Sequence, residues 1–147
     1  MPEVAPLLAG LTEPTQLREA RYADVWMQRW HDGRVLAIGD CAHGMSPQLG
    51  QGANMALIDA HELAAELGTG DWPQVFERYT RRRRAHLRFY SQASRGLTPM
   101  FQSHAVVAPW LRDRFFGWGG RLPYIHQHSI ATLAGYKTGW LWGRLKL

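Results

Sequence analysis

The sequence predicts a mostly helical α+β fold, and two observations support this prediction. A strand pair is indicated by the β-prone run Arg34–Ile38 and by the turn-forming residues His31-Asp32-Gly33 before it. Apolar residues recur at helical spacing over most of the chain that follows. At 147 residues, the chain is long enough for one domain with its own core.

The charge is distributed unevenly along the chain. Residues 1–77 carry four Lys/Arg and eleven Asp/Glu, whereas residues 78–147 carry thirteen Lys/Arg and the single acid Asp113. The two halves either attract each other within one fold or face partners of opposite sign. The single cysteine excludes an internal disulfide. No membrane-spanning run and no targeting signal are recognisable, so we expect a cytoplasmic protein.

The first elements are short. Residues 1–21 contain three prolines and predict an irregular lead-in with a helical turn over Gln16–Ala20. The next segment has Tyr22, Val25, Met27 and Trp30 among polar residues, which predicts the first strand of an antiparallel pair with Arg34–Ile38.

Two main helices are expected after residue 50. The first should end at Gly68, with Ala56, Ala60, Leu63, Ala64 and Leu67 on its apolar face. The second begins at the capping-box sequence Asp71-Trp72-Pro73-Gln74 and should run to about Ser91. Its apolar side is formed by Val75, Phe76, Tyr79, His86 and Tyr90.

The C-terminal region is less regular. Short helices are predicted near residues 103–116 and 122–134, followed by an aromatic and basic tail from Gly135 to Leu147. The tail combines aromatic and cationic residues as membrane-interface anchors do, so it serves either peripheral membrane contact or packing against other protein.

A glycine-rich segment connects the strand pair to the first helix. It reads Gly39-Asp40-Cys41-Ala42-His43, continues through Pro47 and Gly50-Gln51-Gly52-Ala53-Asn54, and ends at Asp59. A strand, a glycine-rich loop and a helix N-terminus in this order direct backbone N–H groups and a positive helix end at one place. The segment is therefore suited to an anionic group.

The same segment closely resembles the second FAD-binding motif of the class A FAD-dependent monooxygenases, the para-hydroxybenzoate hydroxylase-like family. That motif reads GD-x-A-H–x3–P–x2–G-Q-G-x-N–x4–D-A, and this chain fills every fixed position. Cys41 stands where alanine is usual. The resemblance is specific over about residues 34–67 and looser from Tyr22 to the long helix.

The resemblance implies a cofactor role for Gly39, Asp40, Pro47, Gly50, Gln51, Gly52, Ala53 and Asn54. Asp40 would accept a hydrogen bond from a ribityl or ribose hydroxyl of FAD, whereas Asp40 considered without the rest of the motif is more typical of an N-cap or a loop-bridging carboxylate. Pro47 would lie beside the flavin ring near the substrate. Gly50 and Gly52 would permit close backbone approach. Ala53 and Asn54 would begin the helix that faces the flavin N1–C2=O edge.

Neighbouring residues are given structural roles. We expect His43 to pack the loop without acid–base chemistry, Cys41 to be a small buried residue, and Asp59 to tether the helix to the loop. Gly50-x-Gly52 is a weak match to a dinucleotide fingerprint because Met55 occupies the third glycine position. We assign no catalytic residue and no metal ligand.

The arginines Arg78, Arg81–Arg84 and Arg88 form a basic run within one helix. A solvated surface is the default expectation, with ion pairs to the acidic half or contact with NAD(P)H phosphates as alternatives. No nucleic-acid recognition motif accompanies the charge, so we do not expect nucleic-acid binding.

The resemblance also implies an organisation for the chain. Residues 22–95 would be the end of an FAD-binding domain, and residues 96–147 a C-terminal helical region. The family's N-terminal GxGxxG unit is not found in these residues, so the chain resembles the C-terminal portion of a longer enzyme with a missing N-terminal half.

The intact enzyme would use NAD(P)H and O2 to hydroxylate an aromatic or similar small organic substrate, with FAD carrying the chemistry. This chain alone is expected to be inactive. The alternative is an inactive remnant that acts as a small helical interaction module through its basic, aromatic C-terminal surface.

Overall fold

The computed structural model describes residues 9–18, 22–68, 70–101, 107–119, 121–141 and 143–145. In chain order the elements are a 3-10 helix Pro14–Gln16, strands β1 (His31–Asp32) and β2 (Val35–Leu36), helix α1 (Asp40–His43), a 3-10 helix Pro47–Leu49, and helices α2 (Gly52–Glu66), α3 (Trp72–Phe101), α4 (Val107–Gly119) and α5 (Pro123–Leu133). The mostly helical character and the short strand pair are confirmed.

The strand pair differs from its predicted bounds. β1 and β2 are antiparallel, with His31 opposite Leu36 and Asp32 opposite Val35. His31 and Asp32 therefore belong to a strand instead of the turn, and residues 22–30 form no strand. The reason is that this segment bonds to the glycine-rich motif, where Val25 N donates to the Gly44 carbonyl over 2.7 Å.

The core lies where α3 packs on α2 and on the second 3-10 helix. The predicted apolar side of α3 is confirmed, since Val75, Phe76, Tyr79, His86 and Tyr90 are all buried. Met55 and Ile58 of α2 face them together with Trp30 from the segment before β1. The core therefore sits directly beneath the motif segment.

The predicted apolar face of α2 is wrong. The helix buries Met55, Ile58, Asp59 and Glu62, whereas Ala60, Ala64 and Leu67 are exposed. Two acids are buried because their partners, Arg83 and Arg82, lie on the facing helix. Of the two leucines that were predicted to face the core, Leu63 packs partly against it and Leu67 does not.

Helix α3 is ten residues longer than predicted. It continues past Ser91 to Phe101, through Gly96 and Pro99, two residue types that usually end helices. Tertiary contacts stabilise this extension, because Ser94 Oγ donates to the Ser46 carbonyl over 2.8 Å. The helix passes without a break through residues 95 and 96, and the division of the chain there stays a prediction.

Helices α4 and α5 confirm the two C-terminal helices, although residues 103–106 of the first prediction lie outside the described ranges. So do residues 1–8 and 19–21 of the lead-in and residues 142, 146 and 147 of the tail. After α5 the tail folds back, and Lys137 pairs with Arg144 in an antiparallel bridge. The Tyr90 hydroxyl accepts a bond from Lys137 N and donates to the Thr132 carbonyl, each over 3.1 Å.

None of the helices in the described part of the chain combines the length and the apolar character that crossing a membrane requires. The cytoplasmic location stays a prediction from the sequence.

Candidate functional site

The motif segment is more helical than the predicted loop. Gly39 precedes α1 with a φ of +60°, and Asp40 is the first residue of that helix. The 3-10 helix Pro47–Leu49 ends at Gly50, whose φ is +61°. Gln51 then leads directly into α2. Two short helical turns thus bring Asp40 and the start of α2 to the same side of the motif.

The Asp40 carboxylate lies beside the N-terminus of α2. A Cβ atom built on Gly52 would lie 3.5 Å from Asp40 Oδ1. The Asp40 side chain is exposed, and no residue in the described ranges forms a hydrogen bond or ion pair with its carboxylate. Its oxygens are therefore available as acceptors for a ligand hydroxyl.

The start of α2 presents backbone N–H groups that its own first turn leaves uncapped. The first N–H groups of a helix have no intrahelical carbonyl to bond. Here the residue before α2, Gln51, makes no side-chain cap, and the first turn contains no acidic residue. The backbone of Gly52, Ala53 and Asn54 can thus interact with a negatively charged edge of a ligand.

The polar side chains of Gln51 and Asn54 hold the motif together. Gln51 is buried, and its Nε2 donates to the Leu49 carbonyl over 3.3 Å and to the Leu133 carbonyl over 3.1 Å. Asn54 Nδ2 donates to Gln51 Oε1 over 2.9 Å. These two side chains stabilise the motif internally, so their predicted cofactor role falls to their backbone atoms.

A buried cluster beneath the motif is centred on Asp59. Its Oδ2 accepts a bond from Gly39 N over 2.7 Å and lies 2.6 Å from His43 Nε2. Its Oδ1 accepts a bond from Arg83 Nε over 2.6 Å. The expected tether role of Asp59 and the packing role of His43 agree with this geometry.

Arg83 is the member of this cluster that the sequence analysis missed. Its guanidinium also donates to the Met55 carbonyl over 3.2 Å and contacts His86 Nδ1. Spacing could have revealed it, because Tyr79, Arg83, His86 and Tyr90 recur at i, i+4, i+7 and i+11 on one helix face. An arginine in an apolar stripe indicates a buried acidic partner.

The cluster shifts two ionisation equilibria. Burial alone would raise the pKa of Asp59, but the hydrogen bond from His43 and the positive charge of Arg83 bring it below its ordinary value. Burial, assisted by the charge of Arg83, lowers the pKa of His86 to about 4. Asp59 is consequently charged and His86 neutral at neutral pH.

Two further expectations are corrected. Cys41 is exposed, because α1 turns Ala42 and His43 towards the core and leaves Cys41 on the outer side. The arginine run is also not simply a solvated surface. Besides the buried Arg83, Arg82 Nε pairs with Glu62 and Arg78 Nε with Glu66, each over 2.8 Å.

The acidic and basic halves therefore do attract each other within one fold. Arg84 adds a different contact, because it donates to the Met27 carbonyl over 2.8 Å and also bonds the Gln28 carbonyl. Through these bonds α3 fixes the segment that leads into β1. Of the four consecutive arginines, Arg81 and Arg82 are exposed.

The family is shown by comparison with known proteins. A model of the FAD binding domain matches residues 5–94, more than half of the chain, and the chain belongs to this family. The matched range contains the whole motif from Gly39 to Asp59, together with Arg83 and His86.

The chain is similar to proteins named as a hydroxylase, a synthase and a monooxygenase. The chain is 31% identical to 3-hydroxybenzoate 6-hydroxylase of Polaromonas naphthalenivorans over 113 residues, which are 76% of this chain and 28% of that protein. It is 37% identical to 2-heptyl-3-hydroxy-4(1H)-quinolone synthase of Pseudomonas aeruginosa over 84 residues, 57% of this chain and 22% of that protein. A flavin-dependent monooxygenase of an unknown prokaryote is 47% identical over 55 residues, 36% of this chain and 14% of that protein.

The chain thus spans less than a third of the length of each of these relatives. No solved structure shows significant similarity to it. The family match and the names confirm the resemblance to the para-hydroxybenzoate hydroxylase-like monooxygenases, and with it FAD as the cofactor.

Proposed function

We propose that this chain forms the part of an FAD-dependent monooxygenase that contacts the ribityl chain and the flavin ring. The observation that supports this most directly is the exposed Asp40 carboxylate, which has no partner among the described residues and lies beside the glycine at the start of α2. A hydroxyl-rich chain that ends in a negatively charged ring edge is complementary to this arrangement.

The proposed roles follow the geometry of the motif. Asp40 accepts a bond from a ribityl or ribose hydroxyl, and the exposed Pro47 lies beside the ring near the substrate. Gly50 has open space where a Cβ would be, so the ligand can approach its backbone. Gly52, Ala53 and Asn54 present the positive end of α2 to the flavin N1–C2=O edge.

Gly39 and Gln51 act mainly by fixing this arrangement. Gly39 is bonded to the buried Asp59, and Gln51 is bonded to Leu49 and Leu133. When bound, FAD supplies the redox and oxygen-transfer chemistry. The chain itself binds and orients the cofactor.

The intact enzyme would use NAD(P)H as reductant and hydroxylate an aromatic or similar small organic substrate. The name of one relative, 3-hydroxybenzoate 6-hydroxylase, supports this reaction class. We further propose that a part of the intact enzyme outside these residues binds the FAD pyrophosphate and packs on β2 and the outer face of α2. Val35 and Leu57, exposed by 73% and 71% of their surfaces, support such a packing partner.

The motif assignment can be tested by NMR on this chain, because chemical shifts detect weak binding. Added FAD is expected to move the amide signals of residues 39–41 and 50–54. Asp40→Asn keeps the size of the side chain and should weaken binding about tenfold, since a charged acceptor is lost.

Asp32→Asn is the matched control, because Asp32 is an equally charged and exposed residue outside the motif. Shifts confined to the arginines of α3, or equal affinity of the Asp40→Asn and wild-type chains, would contradict the assignment. Absence of any flavin-dependent shift would favour the inactive-remnant alternative.

A further inference from the structure

A cavity of about 440 Å³ adjoins the motif segment at the second 3-10 helix and extends among α3, α4, α5 and the tail. Its walls are strongly apolar and include Leu49, Phe89, Leu97, Phe116, Ile125 and Trp140. Several aromatic rings in such a cavity suit a flat apolar group.

One edge of this cavity carries a buried cation. Lys137 is only 3% exposed, and its Nζ lies 5.9 Å from the centroid of the Phe89 ring. The ammonium donates to the Leu141 carbonyl over 3.2 Å and contacts His128 Nδ1. Both of these partners are acceptors without negative charge.

A second cavity of about 290 Å³ continues from the same edge. It shares Tyr124, His128 and Lys137 with the first cavity and adds Arg144. The antiparallel bridge between Lys137 and Arg144 places these two residues side by side in the tail. Among the described residues, no acidic side chain lines either cavity.

The electrostatics of this edge are unbalanced. Burial and the charge of Arg144 lower the pKa of Lys137, as expected for a cation without a counter-ion. No carboxylate in the described ranges forms an ion pair with Lys137. Burying an ammonium in this way is unfavourable unless an anion compensates it.

We propose that the two cavities together bind a small organic carboxylate. Its apolar body fills the space between Phe89 and Phe116, and its carboxylate bonds Lys137 and Arg144. A face that merely packs against more protein accounts for the apolar walls, but it does not require two cations at one end. The proposal does not rest on the proposed flavin function, because neither cavity is lined by Asp40 or by residues 50–54.

The test compares 2-naphthoate with the neutral 2-naphthylmethanol, by calorimetric and NMR titration of the chain without FAD. We expect the wild-type chain to bind the carboxylate at least about tenfold more tightly, because charge-assisted hydrogen bonds contribute only for the anion. Lys137→Met should remove this preference and leave the affinity for the neutral probe unchanged. Arg29→Met removes an exposed positive charge elsewhere and should change neither affinity.

Unchanged binding of the neutral probe also shows that a variant is folded. If Lys137→Met does not fold, Arg144→Met answers the same question and should lose most of the preference. The proposal is overturned if wild-type chain binds both probes equally, or if Arg29→Met reduces carboxylate binding as much as Lys137→Met. It is also overturned if naphthoate shifts the amides of residues 50–54 instead of those of Lys137 and Trp140.

Discussion

Asp59 and Arg83 form an ion pair in which both residues are fully buried, and Arg83 Nε donates to Asp59 Oδ1 over 2.6 Å. The second carboxylate oxygen bonds Gly39 and His43 at the start of the motif. One carboxylate therefore links α3 to the residue just before Asp40. The position of the proposed ribityl acceptor depends on an arginine of another helix.

Removing Arg83 should be strongly destabilising. Arg83→Met leaves the Asp59 carboxylate buried without its cation, and we expect the free energy of unfolding to fall by about 3–5 kcal/mol. Urea denaturation followed by circular dichroism measures this change. Arg81→Met, an exposed neighbour in the same helix, should alter stability by no more than about 0.5 kcal/mol. Equal midpoints for the two variants would contradict a buried ion pair.

Gly135 should not tolerate a side chain. Its φ is +83°, and an added Cβ would lie 2.5 Å from Asn54 Nδ2 and 2.9 Å from Ile58 Cδ1. Gly68 has a similar φ of +88° with nothing within 4 Å of its Cβ position. Both alanine variants carry about 1 kcal/mol of left-handed backbone strain.

The steric overlap should lower the free energy of unfolding of Gly135→Ala by roughly a further 1–3 kcal/mol. The difference between the two urea midpoints isolates that overlap from the backbone strain. If Gly68→Ala is as destabilising as Gly135→Ala, the close packing of Gly135 against Asn54 and Ile58 of α2 is refuted.

His86 should make stability dependent on pH. Its pKa is lowered from 6.5 to about 4, so the folded state favours the neutral imidazole. The stabilisation is complete above pH 6.5 and is lost progressively as the pH falls from about 6.5 to 4. The total loss is on the order of 3 kcal/mol.

His86→Asn retains an acceptor for Arg83 but cannot titrate in this range. Its unfolding free energy should vary less between pH 7 and pH 4 than that of the wild-type chain. His61→Asn, at an exposed position of α2, should retain the wild-type slope. Parallel pH profiles for wild type and His86→Asn would show that His86 is not the group responsible.

Cys41 should react in the folded state. The thiol is exposed, so a disulfide reagent such as 5,5′-dithiobis(2-nitrobenzoate) should label one equivalent without denaturant. Bound FAD should slow this labelling, because Cys41 follows Asp40 directly in α1. The Cys41→Ser variant has no thiol and therefore measures the background of the labelling reaction. Labelling that requires urea would restore the original expectation of a buried residue.

The sequence was informative where residue identity itself determines the geometry. The fixed spacing from Gly39 to Asp59 predicted the family and the tether, and the helical spacing of Tyr79, His86 and Tyr90 predicted the core face of α3. Sequence periodicity predicted the wrong buried face for α2, because it assumes that charged residues lie on the exposed face of a helix. Asp59 is buried only because Arg83 approaches from another helix, and that proximity is a tertiary property.

The same limit explains the other errors. The segment from Tyr22 to Trp30 has a strand-like mixture of apolar and polar residues, but the N–H of Val25 bonds the Gly44 carbonyl instead of a neighbouring strand. The extension of α3 past Gly96 depends on the bond from Ser94 to Ser46, which local propensity cannot indicate. Both outcomes depend on contacts between distant residues.

The bond from Gln51 to the Leu133 carbonyl joins positions that are 82 residues apart. The family match ends at residue 94, so this bond connects the shared motif to a part of the chain that the match does not cover. Chimeras that join two homologues near residue 94 would separate Gln51 from the helix end with which it evolved. Recombination of such enzymes should therefore keep the motif and the C-terminal helices together as one inherited block.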